Sequence, residues 1–242
     1  MSVHPARSFD RAADAYEANR PDYPDAVLDH VPVPREAEVL DVGAGTGKLT
    51  RVLAGRYRRV TAVEPLDGMR AILERMVPRA EAHSGTAEQI PLRDASVDAV
   101  FAGQAFHWFA NDDAIADMAR VLRPGGVLAL VWNEPRGRSP LPQAYHDALE
   151  RLHEEGRRRL AEAEPWQDVI RRGPFGPVRQ AHVDHEQEQS RASVLATTQT
   201  FSWVACRTED ERARIARELD ELLGDGPFVF GLRANVMWAV RS

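Results

Sequence analysis

Asp41, Glu64 and a short run of glycines are the residues whose types and spacing could do chemistry. In LDVGAGTGKLT (Leu40–Thr50), Gly43, Ala44, Gly45 and Gly47 follow an apolar run, and Asp41 stands two residues before the first glycine. Glycines spaced this way let a ligand approach main chain that a side chain would screen. A phosphate loop of the form Gly-x-x-x-x-Gly-Lys-Ser/Thr does not fit, because its first glycine falls on Val42 and Leu49 stands where a magnesium-binding hydroxyl belongs. The dinucleotide fingerprint Gly-x-Gly-x-x-Gly fits Gly43 and Gly45 but meets Lys48 at its third glycine. Asp41 argues further against a phosphate: a fixed carboxylate beside the loop repels pyrophosphate and favours an ammonium group. Glu64 closes the next apolar run, the position from which an acid takes both hydroxyls of a ribose.

Short apolar runs and helical patterns alternate to position these residues. AEVLDV (37–42), RVTAVE (59–64), EAHSG (81–85), SVDAVFA (96–102) and GVLALVW (126–132) read as strands. The last is apolar on successive residues, as in a parallel strand covered on both faces. Leu49, Val52 and Leu53, then Met69, Ile72, Leu73 and Met76, recur at helical spacing and predict two buried stripes. Asn111 is placed to cap a third helix carrying Ile115, Met118 and Leu122, which RPGG stops. This rhythm predicts an α/β fold, a doubly wound parallel sheet with its ligand at the carboxyl ends of the strands. Beyond Trp132 the rhythm breaks. Leu141–Glu164 reads as one charged helix, QAHVDHEQEQ (180–189) as a strand, Thr208 and Glu211 as a capping box closed by Gly224, and FVFGLRANVMWAV (228–240) as the last strand.

An ammonium at one strand end and a ribose at the next describe S-adenosylmethionine. VLDVGAGTGKLT, VTAVEPLDGM, GTAEQIPLRDASVDAVF and ARVLRPGGVLAL together resemble the successive motifs of class I S-adenosylmethionine-dependent methyltransferases, from about Ala37 to Trp132. FDRAADAYEANRPDYP and GQAFHWF are similar to the small-molecule branch that contains trans-aconitate methyltransferase. The resemblance implies a Rossmann-like, mostly parallel sheet of seven strands, a helical N-terminal segment and a helical cap inserted after strand 5. It also implies one domain over 1–242: a lid over 1–35, a cofactor core over 36–134, a substrate-side insertion with the sixth strand over 135–205, and a last helix and strand over 206–242. Gly43, Ala44, Gly45 and Gly47 would then pass beneath the methionine portion, Asp41 would orient its amino group, and Glu64 would hold the ribose. Pro65, Leu66 and Met69 would lie along adenine, Thr86, Ala87 and Glu88 would read its edge, and Gln104 would approach the methionine end. An N-terminal helix presenting Phe9, Ala12, Ala13 and Tyr16 on one face would bring Tyr16 and Arg20 over the cofactor.

Methyl transfer from a sulfonium to give S-adenosylhomocysteine is an in-line displacement that needs alignment and a dry site more than covalent catalysis. AFHWF (105–109) stands where the methyl should point, with Phe106, Trp108 and Phe109 as aromatic walls able to attract a cation. His107 is placed to deprotonate a hydroxyl or amine, whereas a carboxylate acceptor needs no base. Phe106, Trp108, Trp132, Tyr145 and Trp203 are the expected substrate contacts. The net charge of −6 gives no electrostatic footprint for nucleic acid, and the single cysteine, Cys206, excludes an internal disulfide and a thiolate metal cluster. His182 and His185 lack a third partner, so no metal is expected. With no secretory stretch in MSVHPARSFD and no apolar run long enough for a bilayer, a cytoplasmic monomer or homodimer acting on a small molecule is expected. A non-catalytic cofactor-binding regulator and a nicotinamide dehydrogenase are the rival classes; Asp41 disfavours the second.

Overall fold

The computed structural model describes residues 13–157 and 166–242, which form two compact units. One comprises residues 22–134, 166–183 and 233–242, and the other comprises residues 13–21, 135–157 and 184–232. Phe9 and Ala12 lie outside the described residues, as does the end of the expected long helix at Glu164.

Seven strands form one sheet in the order β3-β2-β1-β4-β5-β7-β6. They are β1 (Glu38–Val42), β2 (Arg59–Val63), β3 (Glu81–His83), β4 (Val97–Gly103), β5 (Leu122–Pro135), β6 (Arg179–Gln189) and β7 (Phe228–Val240). The first five pair in parallel, with Asp41 level with Ala62 of β2 and Phe101 of β4. β7 runs against β5, since Gly126 pairs with Arg241 while Arg136 pairs with Gly231. Order reverses between β1 and β4, which makes the carboxyl ends of these strands the expected crevice of a doubly wound sheet.

Alternation along each strand sends successive side chains to opposite faces, and both faces are buried. On one face Leu40, Val42, Val100, Leu128 and Leu130 pack with Ile115 and Met118 of α4 (Asp112–Val121) and with Val169 and Ile170 of α6 (Trp166–Arg172). On the other, Val39, Phe101, Ala129 and Val131 pack with Leu49 and Leu53 of α2 (Lys48–Arg56) and with Val27 and Leu28 of a 3-10 turn (Asp25–His30). Helix α3 (Asp67–Met76) buries Met69, Ile72 and Leu73 as predicted, but Met76, its last residue, is 42% exposed.

Helix α4 begins as the sequence predicts, with the Asn111 side chain accepting from the Ala114 N–H at 2.9 Å. RPGG ends it in a different way from a simple helix stop. The strand already starts at Leu122, and Arg123–Gly126 bulge opposite Asp98, so that Val97 pairs with Leu122 but Ala99 with Val127. Arg123 secures the bulge through Asp98 (2.7 Å) and Glu38 (2.9 Å).

In the second unit, α5 (Gln143–Arg157), α7 (Arg191–Gln199), α8 (Ser202–Ala205) and α9 (Glu209–Leu222) build a helical core around Tyr145, Leu152, Val194, Ile215 and Leu219, and α1 (Ala13–Asn19) is tied to α7 where Asn19 accepts from Ser193 and Thr197. The capping box of α9 forms between Thr208 and Glu211, but the helix ends on an extended Leu223, not on a left-handed Gly224. Helices α6, α7 and α8 carry no stripe regular enough to announce them.

Candidate active site

The glycine loop sits where β1 turns into α2. Gly43, Gly45 and Gly47 have φ of +66°, +58° and +91°, a region L-residues with a Cβ enter only at a cost. Gly43 also needs its missing side chain, because a Cβ there would stand 2.8 Å from the Ala105 Cβ and 3.0 Å from the Phe109 ring. Gly45 differs: nothing lies within 4 Å of where its Cβ would be, so its bare backbone faces open space. The Gly43 and Ala44 N–H groups bond to the Val63 carbonyl at 2.9 and 3.1 Å, which lashes the loop to the end of β2.

Two carboxylates flank this loop, and their states differ. Glu64 is fully engaged by main chain, Oε2 accepting from Gly45 N–H and Oε1 from Leu66 N–H, both at 2.9 Å. It thus fixes the loop and the N-cap of α3 together. Asp41 is entirely buried. Its Oδ2 accepts from the Thr50 hydroxyl at 2.6 Å, while Oδ1 has no hydrogen-bond partner among the described residues. Burial above all, with the Glu64 charge adding to it, pushes the Asp41 carboxyl up to about 7 despite the Thr50 bond. A buried acceptor left unsatisfied is costly, so a donor is expected to complete it.

Around the loop, Pro65 is exposed, Leu66 half-buried and Met69 buried beneath them on α3. The segment after β3 places Thr86 at the surface, Ala87 in the core and Glu88 half-buried, its Oε1 accepting from Asn111 at 2.9 Å. Arg120 braces this segment, donating to the Ile90 and Leu92 carbonyls and to Asp94 and Asp117. Gln104, just past β4, has φ of +53°, a strained conformation for a residue with a Cβ. Its N–H bonds to the Val131 carbonyl (2.9 Å) and its side-chain amide to the Asn133 carbonyl (3.0 Å), so the end of β5 holds the strain in place.

The aromatic wall is not arranged as the sequence suggests. Phe106, an expected substrate contact, is 1% exposed and belongs to the core, because the 3-10 turn Phe106–Trp108 points it at the sheet. Phe109 is instead the ring against Gly43. His107 is exposed, stacked on Trp166 with ring centroids 6.3 Å apart, and 4.8 Å from the Trp108 ring. Trp166 also meets Phe106 and Trp132 edge-on at 5.9 and 5.4 Å. Sequence reading missed Trp166, whose only signal is a bulky ring following Pro165 in a polar stretch. Trp132 Nε1 donates to Glu134, and the ring lines a pocket of about 330 Å³ with Gln180, His182, Arg233 and Asn235.

Four expected contacts lie in the helical unit. Tyr145 is wholly buried there, its hydroxyl 2.8 Å from Thr198, and so serves that unit's core instead of a substrate surface. Trp203 is half-buried between Phe201 and His153. Arg20 donates to the Thr200 hydroxyl and carbonyl at 2.8 and 2.9 Å and lies over the rings of Tyr16 and Phe201. Among the described residues no helix is long and apolar enough to cross a membrane, and no three His, Cys, Asp or Glu side chains are grouped to hold a metal.

Residues 40–130 match the family model described as a methyltransferase domain. An uncharacterised methyltransferase of Mycobacterium tuberculosis is 44% identical over 164 residues, 68% of either chain. An uncharacterised methyltransferase-like protein of Schizosaccharomyces pombe is 31% identical over 221 residues, covering 89% of this chain and 86% of its own. The solved structure of an Anaeromyxobacter dehalogenans protein assigned by its name alone to the type II methyltransferases superposes with a TM-score of 0.63 at 29% identity, over 92% of this chain and 97% of that one.

Proposed function

Since the chain belongs to the class I S-adenosylmethionine-dependent methyltransferases, we propose that the crevice over β1, β2 and β4 holds the donor by its amino group and that the acceptor is a small molecule. The observation that carries this reading is the unsatisfied Oδ1 of buried Asp41 beside the open face of Gly45. An ammonium satisfies that oxygen and neutralises the buried charge, whereas a diphosphate does neither. The residues present therefore fit the donor.

Asp41 takes the amino group, and the Gly43–Gly47 backbone underlies the methionine portion. Glu64 keeps its two backbone bonds while its carboxylate accepts from the ribose hydroxyls. Pro65, Leu66 and Met69 form the apolar side of the adenine site, and Thr86, Ala87 and Glu88 its polar edge. When bound, S-adenosylmethionine supplies a methyl group made electrophilic by the positive sulfur, and S-adenosylhomocysteine is left. Phe109, against Gly43, and the Trp108 ring supply aromatic faces worth about 0.5–2 kcal/mol to a nearby cation. Gln104, held at a strained backbone angle, positions the turn that carries them. His107 can take a proton from a hydroxyl or amine acceptor, and Trp132 is assigned to acceptor recognition.

Two measurements test this. Calorimetry with S-adenosylhomocysteine and with NAD should show binding of the first alone. Incubation with S-adenosylmethionine labelled in its methyl and a metabolite extract should label a compound of low molecular mass; label found only in protein or nucleic acid would overturn the acceptor class.

A further inference from the structure

We propose that Thr50 is a positioning residue for donor binding: its hydroxyl ties down one oxygen of Asp41 so that the other stands ready for the ammonium of the methionine portion. This rests on the reading that Asp41 takes that group. Thr50 is itself fully buried, and its Oγ1 donates to Asp41 Oδ2 at 2.6 Å, short enough for a charge-assisted bond. It is the third residue of α2, whose N-cap, Gly47, has no side chain to accept from the first-turn N–H groups. The Thr50 N–H acts in the same direction as its hydroxyl, favouring the charged carboxylate.

Every other influence at this position works against ionisation. Burial comes first, followed by the like charge of Glu64 at the end of β2. The residues level with Asp41 on the neighbouring strands, Ala62 and Phe101, are apolar. The cations at the start of α2, Lys48 and Arg51, both turn to Asp22 instead, at 2.9 and 3.5 Å. Thr50 is thus the side chain that keeps Asp41 chargeable near neutral pH, and it also selects which oxygen is left over. A valine has the same shape but no donor; a serine keeps the hydroxyl.

The experiment compares the wild-type protein with Thr50→Val and Thr50→Ser. In the ligand-free proteins, the Asp41 carboxyl carbon is titrated by NMR. Thr50→Val should move its midpoint up by about one to two pH units, the shift expected when a charged group loses a hydrogen bond, and Thr50→Ser should restore it. In parallel, S-adenosylhomocysteine affinity at pH 7 should fall about tenfold or more in Thr50→Val, recover as pH rises, and stay within about twofold in Thr50→Ser. An Asp41 midpoint that does not move in a folded Thr50→Val variant overturns the proposal. So does an affinity loss that is equal at every pH. If wild-type protein binds no S-adenosylhomocysteine, the donor assignment fails, while the carboxyl titration still decides what Thr50 does to Asp41.

Discussion

Replacing Asp41 by Asn should make the ligand-free protein more stable and the donor site useless, at the same time. In the native chain the Asp41 carboxyl ionises near 7, against 3.8 for an unperturbed aspartate. Because the folded value is the higher one, this group's contribution to stability is fully present below about pH 4 and is lost as pH rises toward 7. A gap of about three units corresponds to about 4 kcal/mol, of which at most about 3 kcal/mol is lost between pH 5 and pH 8. Asparagine has nearly the same shape, still bonds Thr50, and carries no charge at either pH. The melting temperature of Asp41→Asn minus that of wild type should therefore be near zero at pH 5 and reach about 6–12 °C at pH 8, for a chain of this size. Affinity for S-adenosylhomocysteine should drop about 10- to 150-fold at pH 8, the worth of a hydrogen bond to a charged group. Differential scanning calorimetry across the pH range, paired with titration calorimetry, reads both quantities. A melting-point difference that does not change with pH, or unaltered affinity, would refute the reasoning, since one buried carboxylate is held responsible for both effects.

Gly45→Val places a Cβ in open space but forces a branched residue to φ of +58°; it should cost about 1–2 kcal/mol by urea denaturation and lower S-adenosylhomocysteine affinity at least tenfold, whereas undiminished affinity would mean the ligand does not cross this backbone. Glu64→Gln keeps one acceptor where two backbone N–H groups now converge on two oxygens; about 1–3 kcal/mol of stability and about tenfold in donor affinity should go together, and loss of stability alone would confine Glu64 to bracing the loop. His107→Ala removes an exposed ring, so the dissociation constant should stay within about twofold while turnover of a hydroxyl or amine acceptor falls by about 10²–10⁴; full turnover would remove His107 from proton transfer.

What the sequence discloses depends on whether the determining force is local. Strand ends, the Asn111 cap and the Thr208–Glu211 box are legible because each needs residue types at fixed spacing. The glycine loop is legible for the same reason, three positive φ angles demanding glycine at 43, 45 and 47. Orientation around a tight turn is different. Phe106, His107, Trp108 and Phe109 are neighbours in sequence, and only the 3-10 turn decides that Phe106 faces the core and Phe109 faces Gly43. Tyr145 reads from the sequence as a substrate contact, yet its ring is wholly buried and its hydroxyl meets a buried threonine of the same helical unit. Trp166 comes to His107 and Trp132 from far along the chain, a proximity with no local pattern to reveal it. Thr50 shows the same limit at closer range: nine residues after Asp41, it reads as a helix position until the turn at the loop folds it back onto the carboxylate. On the proposed reading, donor recognition is therefore written in spacing, because the donor would be met by backbone and strand ends, while acceptor recognition would fall to rings whose directions are set by packing. The acceptor must accordingly be found by labelling its methyl group, not by reading further along the chain.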